Sequence, residues 1–233
     1  MVLTHTRIPD DSPGAAGWRM ATLHLRSMLC LLLPQVNRSA SSGSHGGGGI
    51  TVDLDLLDLY GRASAWAATK VCGALSQLDA PTTCESWNVR NLLNHMLLIQ
   101  RHFVGVARGD TVTLSLSEDP PDLLSDDPIS DFDSARAETL RTFGEPGVIE
   151  RTGMALAALF GDQLIHGWDL AVSTGQDPTM PEGLPEAAYS IILGRWPEEQ
   201  RKGGLKPEVR IEADSSAQEK LLAYSGRDPA RQA

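Results

Sequence analysis

From Val52 onward, apolar side chains recur at the three-and-four spacing of amphipathic helices. Leu56, Leu59, Tyr60, Ala63, Trp66, Ala67 and Val71 predict a helix over about residues 54–78, closed by Pro81. A second starts after Asn88, a good N-cap, with Trp87 and Leu92 at the two positions of a hydrophobic staple. Its stripe continues through Leu93, Met96, Leu97 and Phe103. Ser130, with Asp133 three residues on, is expected to cap a third helix lined by Phe132, Ala135, Leu140 and Phe143 and stopped by Gly144. A fourth is predicted over residues 154–174, with Gly175 at the position that favours a left-handed cap. Between the second and third, residues 109–129 carry Pro120, Pro121, Pro128 and a run of acids. They predict a long irregular connection of the kind that often acts as a lid.

Four helices with one long crossover predict an all-α fold, a four-helix bundle over residues 52–177. Residues 178–233 read as a small C-terminal α/β extension: a short helix over 185–193, a short strand or extended piece over 209–212, and a last helix over 217–224. Upstream, Arg7, Arg19, Arg26 and Arg38 outweigh Asp10 and Asp11, and the segment ends in a Ser/Gly tract containing His45. Residues 1–51 are therefore expected to form a disordered extension, with His45 a solvated linker residue.

With 41% hydrophobic residues there is ample material for a core. The net charge of -10 and pI near 5.0 argue against nucleic acid or an anionic membrane as partner, since both would repel the chain. No apolar run approaches the roughly 20 residues that span a bilayer, and residues 28–34 are short even for a signal-peptide core. Cys30, Cys72 and Cys84 form neither a CxxC pair nor an even-numbered disulfide framework, which fits a reducing cytoplasm. Cys72 and Cys84 are read as buried, inert thiols, with approach of Cys84 to the His/Asp set across the helix junction as the alternative.

The chemistry concentrates in Asp162 and His166, four apart on the fourth helix, and His95 on the second. Residues at i and i+4 share a helix face about 6 Å apart along the axis, which is how a helix presents two arms of a metal site. Catalytic zinc sites commonly use three ligands of this kind and leave the fourth position to water or substrate. On spacing alone, an Asp162 to His166 ion pair within the helix is as good a reading, and a lone core histidine is the bland reading of His95. His102 competes as a ligand but lies two turns, about 10.5 Å, beyond His95. Asp169 can orient the His166 imidazole or simply face solvent. Phosphate loops, dinucleotide fingerprints and Ser/His/Asp triads are absent.

Three segments resemble the DinB-like metal-binding superfamily, in its actinobacterial branch related to the metal-binding domain of mycothiol-dependent maleylpyruvate isomerase. They are Thr83-Cys-Glu-Ser-Trp-Asn-Val-Arg-Asn-Leu-Leu-Asn-His95, Asp162-Gln-Leu-Ile-His-Gly-Trp-Asp-Leu-Ala171 and Leu221-Leu-Ala-Tyr-Ser-Gly-Arg-Asp-Pro229. The resemblance implies a divalent ion, zinc or nickel, held by His95, Asp162 and His166. Here Asp162 stands where the isomerase-type pattern has Glu, one methylene shorter. The isomerase also has a substantial C-terminal domain contributing to its active site, whereas residues 177–233 follow here.

What the resemblance implies for function is a thiol transferase or isomerase-like enzyme. Its cosubstrate would be a small thiol such as mycothiol, activated by the metal toward an electrophilic substrate. Proteins of this type often pair as homodimers. A metal-dependent hydrolase and a non-catalytic, metal-stabilised bundle are the alternatives; a fourth protein ligand, such as Cys84 or His102, would point to the latter.

Overall fold

A computed structural model describes residues 55–84, 86–110, 120–193 and 206–231. The expected disordered extension, residues 1–51, lies outside them. Helix α1 spans Leu56–Ala74 and tightens into a 3-10 turn over Leu75–Gln77; its N-cap, Asp55, accepts hydrogen bonds from the backbone N–H groups of Leu57 and Asp58. Helix α2, Val89–Arg108, begins at Asn88 as expected, with a reciprocal capping box between Asn88 and Asn91. Helix α3 is Pro128–Phe143 and α4 is Val148–Ser173. Two short helices follow, α5 over Leu184–Ile192 and α6 over Ala217–Tyr224. The described residues contain no strand, so the fold is all-α, a bundle of α1 to α4 with a helical extension.

Two boundaries differ from the sequence reading. Helix α3 starts ahead of Ser130: Asp127 is the N-cap, accepting from the Ser130 N–H, and Pro128 takes the first turn, where its missing N–H costs nothing. Gly144 ends α3 as expected, in a right-handed conformation. Helix α4 begins at Val148, but Thr152 has non-helical angles (φ -132°, ψ 17°), so the regular helix resumes close to the predicted start at 154. Gly175 does adopt φ +71°. Residues 209–212 are extended without joining a sheet; Val209 N–H donates to Ala223 O, at 3.0 Å.

Helix α4 is the axis of the bundle. It is apolar almost all round because α1, α2, α3 and α5 all pack against it, and Leu156, Leu159, Phe160, Leu164 and Leu170 are fully buried along it. One apolar cluster joins α1, α2 and α4 to Met180, Leu184, Ala188, Leu221 and Tyr224 of the extension, so those residues continue the bundle core. A second cluster sits where α1, α2 and α3 meet, around Val71, Leu92, Met96 and Phe132. No helix of the described residues is long and apolar enough to cross a membrane.

Two loops bring side chains to the end of α4. Residues 80–84 and 86–88 fold back on each other: Thr82 N–H and Oγ1 both donate to Trp87 O, at 3.0 and 2.8 Å, and Ser86 turns the chain at φ 70°. Thr83 N–H then donates to Ser173 Oγ, pinning the loop to α4. In the crossover, residues 111–119 lie outside the described set, while the part from Pro120 is irregular, as expected, and fastened. Asn94 Oδ1 accepts from Leu123 N–H and Leu124 N–H at 2.7 and 3.1 Å. The residue that anchors the crossover is thus the neighbour of His95.

Candidate metal centre

The bundle brings the three sequence-predicted ligands together. His95 comes from α2, Asp162 and His166 from α4, and their ligand atoms all lie within 4.8 Å of one another. Asp162 Oδ1 is 3.6 Å from His95 Nε2 and 3.5 Å from His166 Nε2. These separations are long for hydrogen bonds. They suit a shared ion, since bonds of about 2.0–2.2 Å in tetrahedral geometry keep ligand atoms roughly 3.3–3.6 Å apart. The two imidazoles stand edge to face, centroids 4.9 Å apart at 81°, as convergent donors must. The other carboxylate oxygen, Asp162 Oδ2, is buried without a hydrogen-bond partner. A buried carboxylate oxygen left bare costs about 1–3 kcal/mol or more, and a cation would remove that cost. The donor set, two imidazoles and a carboxylate, fits zinc or nickel.

The access is narrow. The side chains of His95 and His166 are 10% and 11% exposed, and that of Asp162 is the most open of the three at 16%. Trp87 lies against His95, centroids 4.9 Å apart. His102 does not join the site; it sits beside Phe103, their rings 5.2 Å apart, and belongs to no donor group. Among the described residues no fourth protein donor completes the three.

Behind His166 is a second set of contacts. Asp169, fully buried, accepts from His166 Nδ1 at 2.9 Å, from Thr83 Oγ1, and from Cys84 Sγ at 3.4 Å. Arg227 forks onto the same carboxylate, Nη2 to Oδ2 at 2.9 Å and Nε to Oδ1 at 3.3 Å. Cys84, His166 and Asp169 also lie within 4.8 Å of one another, yet Arg227 already contacts both Cys84 and Asp169, with Nη2 3.7 Å from Sγ. An ion there would have to displace a guanidinium that cannot lose its charge. This second triple is therefore an ion-pair network, and the first is the candidate metal centre.

Residues 62–171, which contain all three ligands of that centre, match the family model of the mycothiol maleylpyruvate isomerase N-terminal domain. Over this stretch the chain is similar to that family, which lies within the DinB-like superfamily. No curated protein and no solved structure matches the chain. The matched N-terminal-domain segment runs from α1 through most of α4 and stops short of Arg227.

The protonation pattern follows from the packing around these residues. Burial lowers the His95 pKa, keeping its ring neutral with a lone pair available. Burial opposes ionisation of Asp162, but His166 and His95 outweigh it and hold the carboxyl below its ordinary range. Burial likewise opposes a charge on His166, yet the Asp162 charge and the Asp169 hydrogen bond push its pKa up to about 10. Asp169 is held well below the usual carboxylate range: desolvation works against it, and Arg227 and His166 prevail.

Sequence reasoning placed Asp169 correctly as a candidate partner of His166 but left its alternative as a solvent-facing charge; it is buried. The reading of Cys72 and Cys84 as buried, inert thiols is corrected. Cys72 is exposed on α1, and Cys84 is half-buried among charged groups, because its loop folds against the end of α4. Thr83 and Arg227 lie in the segments that carry the family resemblance, but no role was assigned to either. Arg227 did leave a signal, an arginine directly after an apolar helix and a glycine.

Proposed function

We propose that this chain binds one divalent cation through His95, Asp162 and His166 and uses it to activate a small thiol of the mycothiol type. The observation that carries the reading is the buried donor triangle at 3.5 and 3.6 Å with one carboxylate oxygen left without a partner. When bound, such an ion lowers the pKa of a coordinated thiol and so supplies thiolate at neutral pH. Zinc is the preferred metal, with nickel the alternative.

The chain's own residues do the rest. Asp169 takes the Nδ1 hydrogen of His166, which leaves Nε2 as the donor facing Asp162. Trp87 and the closely packed α2 side chains shield His95 from water. The exposed edge of Asp162 is the side from which a thiol and then an electrophilic substrate would enter. Having three protein donors and no fourth among the described residues supports an open, reactive centre over a closed structural one. The transfer yields an S-conjugate, or an isomer where addition is reversed. In this reading the protein works in the cytoplasm, where small thiols stay reduced, and a homodimer is the assembly expected of it.

Elemental mass spectrometry of purified wild type beside His166→Ala tests the reading. About one zinc or nickel per wild-type chain, lost in the variant together with thiol-dependent turnover, is the expected result. Metal retained at full stoichiometry by His166→Ala would sink it.

A further inference from the structure

The family match ends at residue 171, yet the hydrogen-bond chain that reaches His166 ends on Arg227. We infer that Arg227 is a positioning residue of the metal centre: it locks Asp169, which sets the His166 imidazole as an Nε2 donor. The inference rests on the metal reading above and extends the centre into the C-terminal extension.

Backbone geometry delivers Arg227 to this place. Helix α6 ends in a left-handed turn at Gly226 (φ +81°), with Arg227 N–H donating to Leu222 O at 2.9 Å and Gly226 N–H to Ala223 O at 3.0 Å. This is the paired hydrogen-bond pattern of a Schellman motif, which fixes the direction of the next residue. Gly226 is needed twice over, since a Cβ there would lie 2.5 Å from Lys206 Cβ and 2.8 Å from its carbonyl oxygen. Leu221, Leu222 and Tyr224 seat the helix in the bundle core, so the turn faces the end of α4.

From there the guanidinium makes a bidentate contact with Asp169, and its Nη1 donates to Ser225 O at 3.0 Å. Every donor around Asp169 then has one arrangement. Arg227 and Thr83 occupy Oδ1, and Arg227, Cys84 and His166 share Oδ2. Without the guanidinium the carboxylate would be free to rotate, and His166 would lose the fixed acceptor that selects its ring orientation.

The test is zinc affinity, by competition with a chromophoric chelator, for wild type, Arg227→Gln and Arg227→Lys, together with 15N NMR of the His166 imidazole in the zinc-loaded proteins. Arg227→Gln should bind zinc about 10- to 100-fold more weakly, the range expected when a partner of a metal-bound histidine is removed. Arg227→Lys should fall between, since it keeps the charge and loses the fork. The His166 ring signals should depart from the wild-type pattern of a single Nδ1–H form. A folded Arg227→Gln with wild-type zinc affinity and unchanged His166 signals overturns the inference, even if its thermal stability drops. Should Arg227→Gln fail to fold, Arg227→Lys decides alone, and wild-type affinity there overturns it. Zinc retained by His166→Ala is a different failure, which removes the metal reading itself.

Discussion

Asp162 and Asp169 stand two turns apart on α4, one on each side of His166, and their surroundings are opposite. Asp162 is 16% exposed, 3.5 and 3.6 Å from two imidazoles, with one oxygen bare. Asp169 is 0% exposed and saturated by Arg227, His166, Thr83 and Cys84. The first is arranged for a partner that the protein itself does not supply; the second is arranged so that nothing else can enter. One imidazole between them is gripped at Nδ1 and offered at Nε2, the division of labour expected where a histidine serves a metal.

The sharpest separation of the two comes from replacing each by asparagine. Asp169→Asn should destabilise the metal-free protein by about 3–5 kcal/mol, because it leaves the Arg227 charge buried and arginine cannot shed its proton. Asp162→Asn should cost no more than about 1–2 kcal/mol there, since His95 is already neutral and His166 can become so, yet it should abolish metal binding. Urea unfolding and elemental analysis of the two variants check both halves. Equal stability losses would erase the distinction.

Gly167→Ala disturbs the helix between the two carboxylates. An added Cβ would clash with the six-membered ring of Trp66, so the indole or α1 behind it must shift, at about 1–3 kcal/mol. Thermal unfolding measures it, and a loss below half a kcal/mol would mean that Trp66 gives way freely.

Proton release distinguishes the two sides by pH. His166 in the metal-free protein keeps its proton up to about pH 10, whereas the pKa of Asp162 is lowered, as is that of His95. Metal must therefore expel close to one proton at neutral pH, and affinity should rise by about tenfold per pH unit below pH 10. Calorimetry in buffers of different ionisation enthalpy counts that proton. The linkage for folding has the opposite sign. The His166 pKa is raised above its ordinary 6.5, so its protonated form stabilises the metal-free fold fully below pH 6.5, and this is lost as pH rises through about 10. Stability of the metal-free form that increased across that window would contradict the arrangement.

A small effect away from both carboxylates sets the scale. Asp127→Ala should cost about 1 kcal/mol as a lost N-cap, and Ser130→Ala should cost nearly nothing, because the cap of α3 is Asp127. Chemical denaturation of both variants compares them.

That cap shows what limits a sequence reading. Apolar spacing placed all four bundle helices, because periodicity is local and α1 to α4 bury one stripe or more. Boundaries slipped where two capping patterns lay three residues apart, and Pro128 resolved them. The ligand set was legible as far as it depended on helix spacing: His166 with Asp162 and Asp169. His95 was plausible from its apolar flanks, and family resemblance tied it to the others. Thr83 and Arg227 contact Asp169 from 86 and 58 residues away, and no periodicity reports contacts of that range. They depend on how a loop and a helix-ending turn are aimed, which only the packed structure shows.

Trp87, tilted at 43° against His95, has a consequence of its own. An indole so close to an imidazole is sensitive to what that imidazole carries, so its fluorescence should change when His95 gives up its lone pair. The centre thus holds a built-in optical reporter, and loading could be followed in real time on the unlabelled protein; Trp87→Phe, which keeps the other four tryptophans, is the control whose emission should not respond.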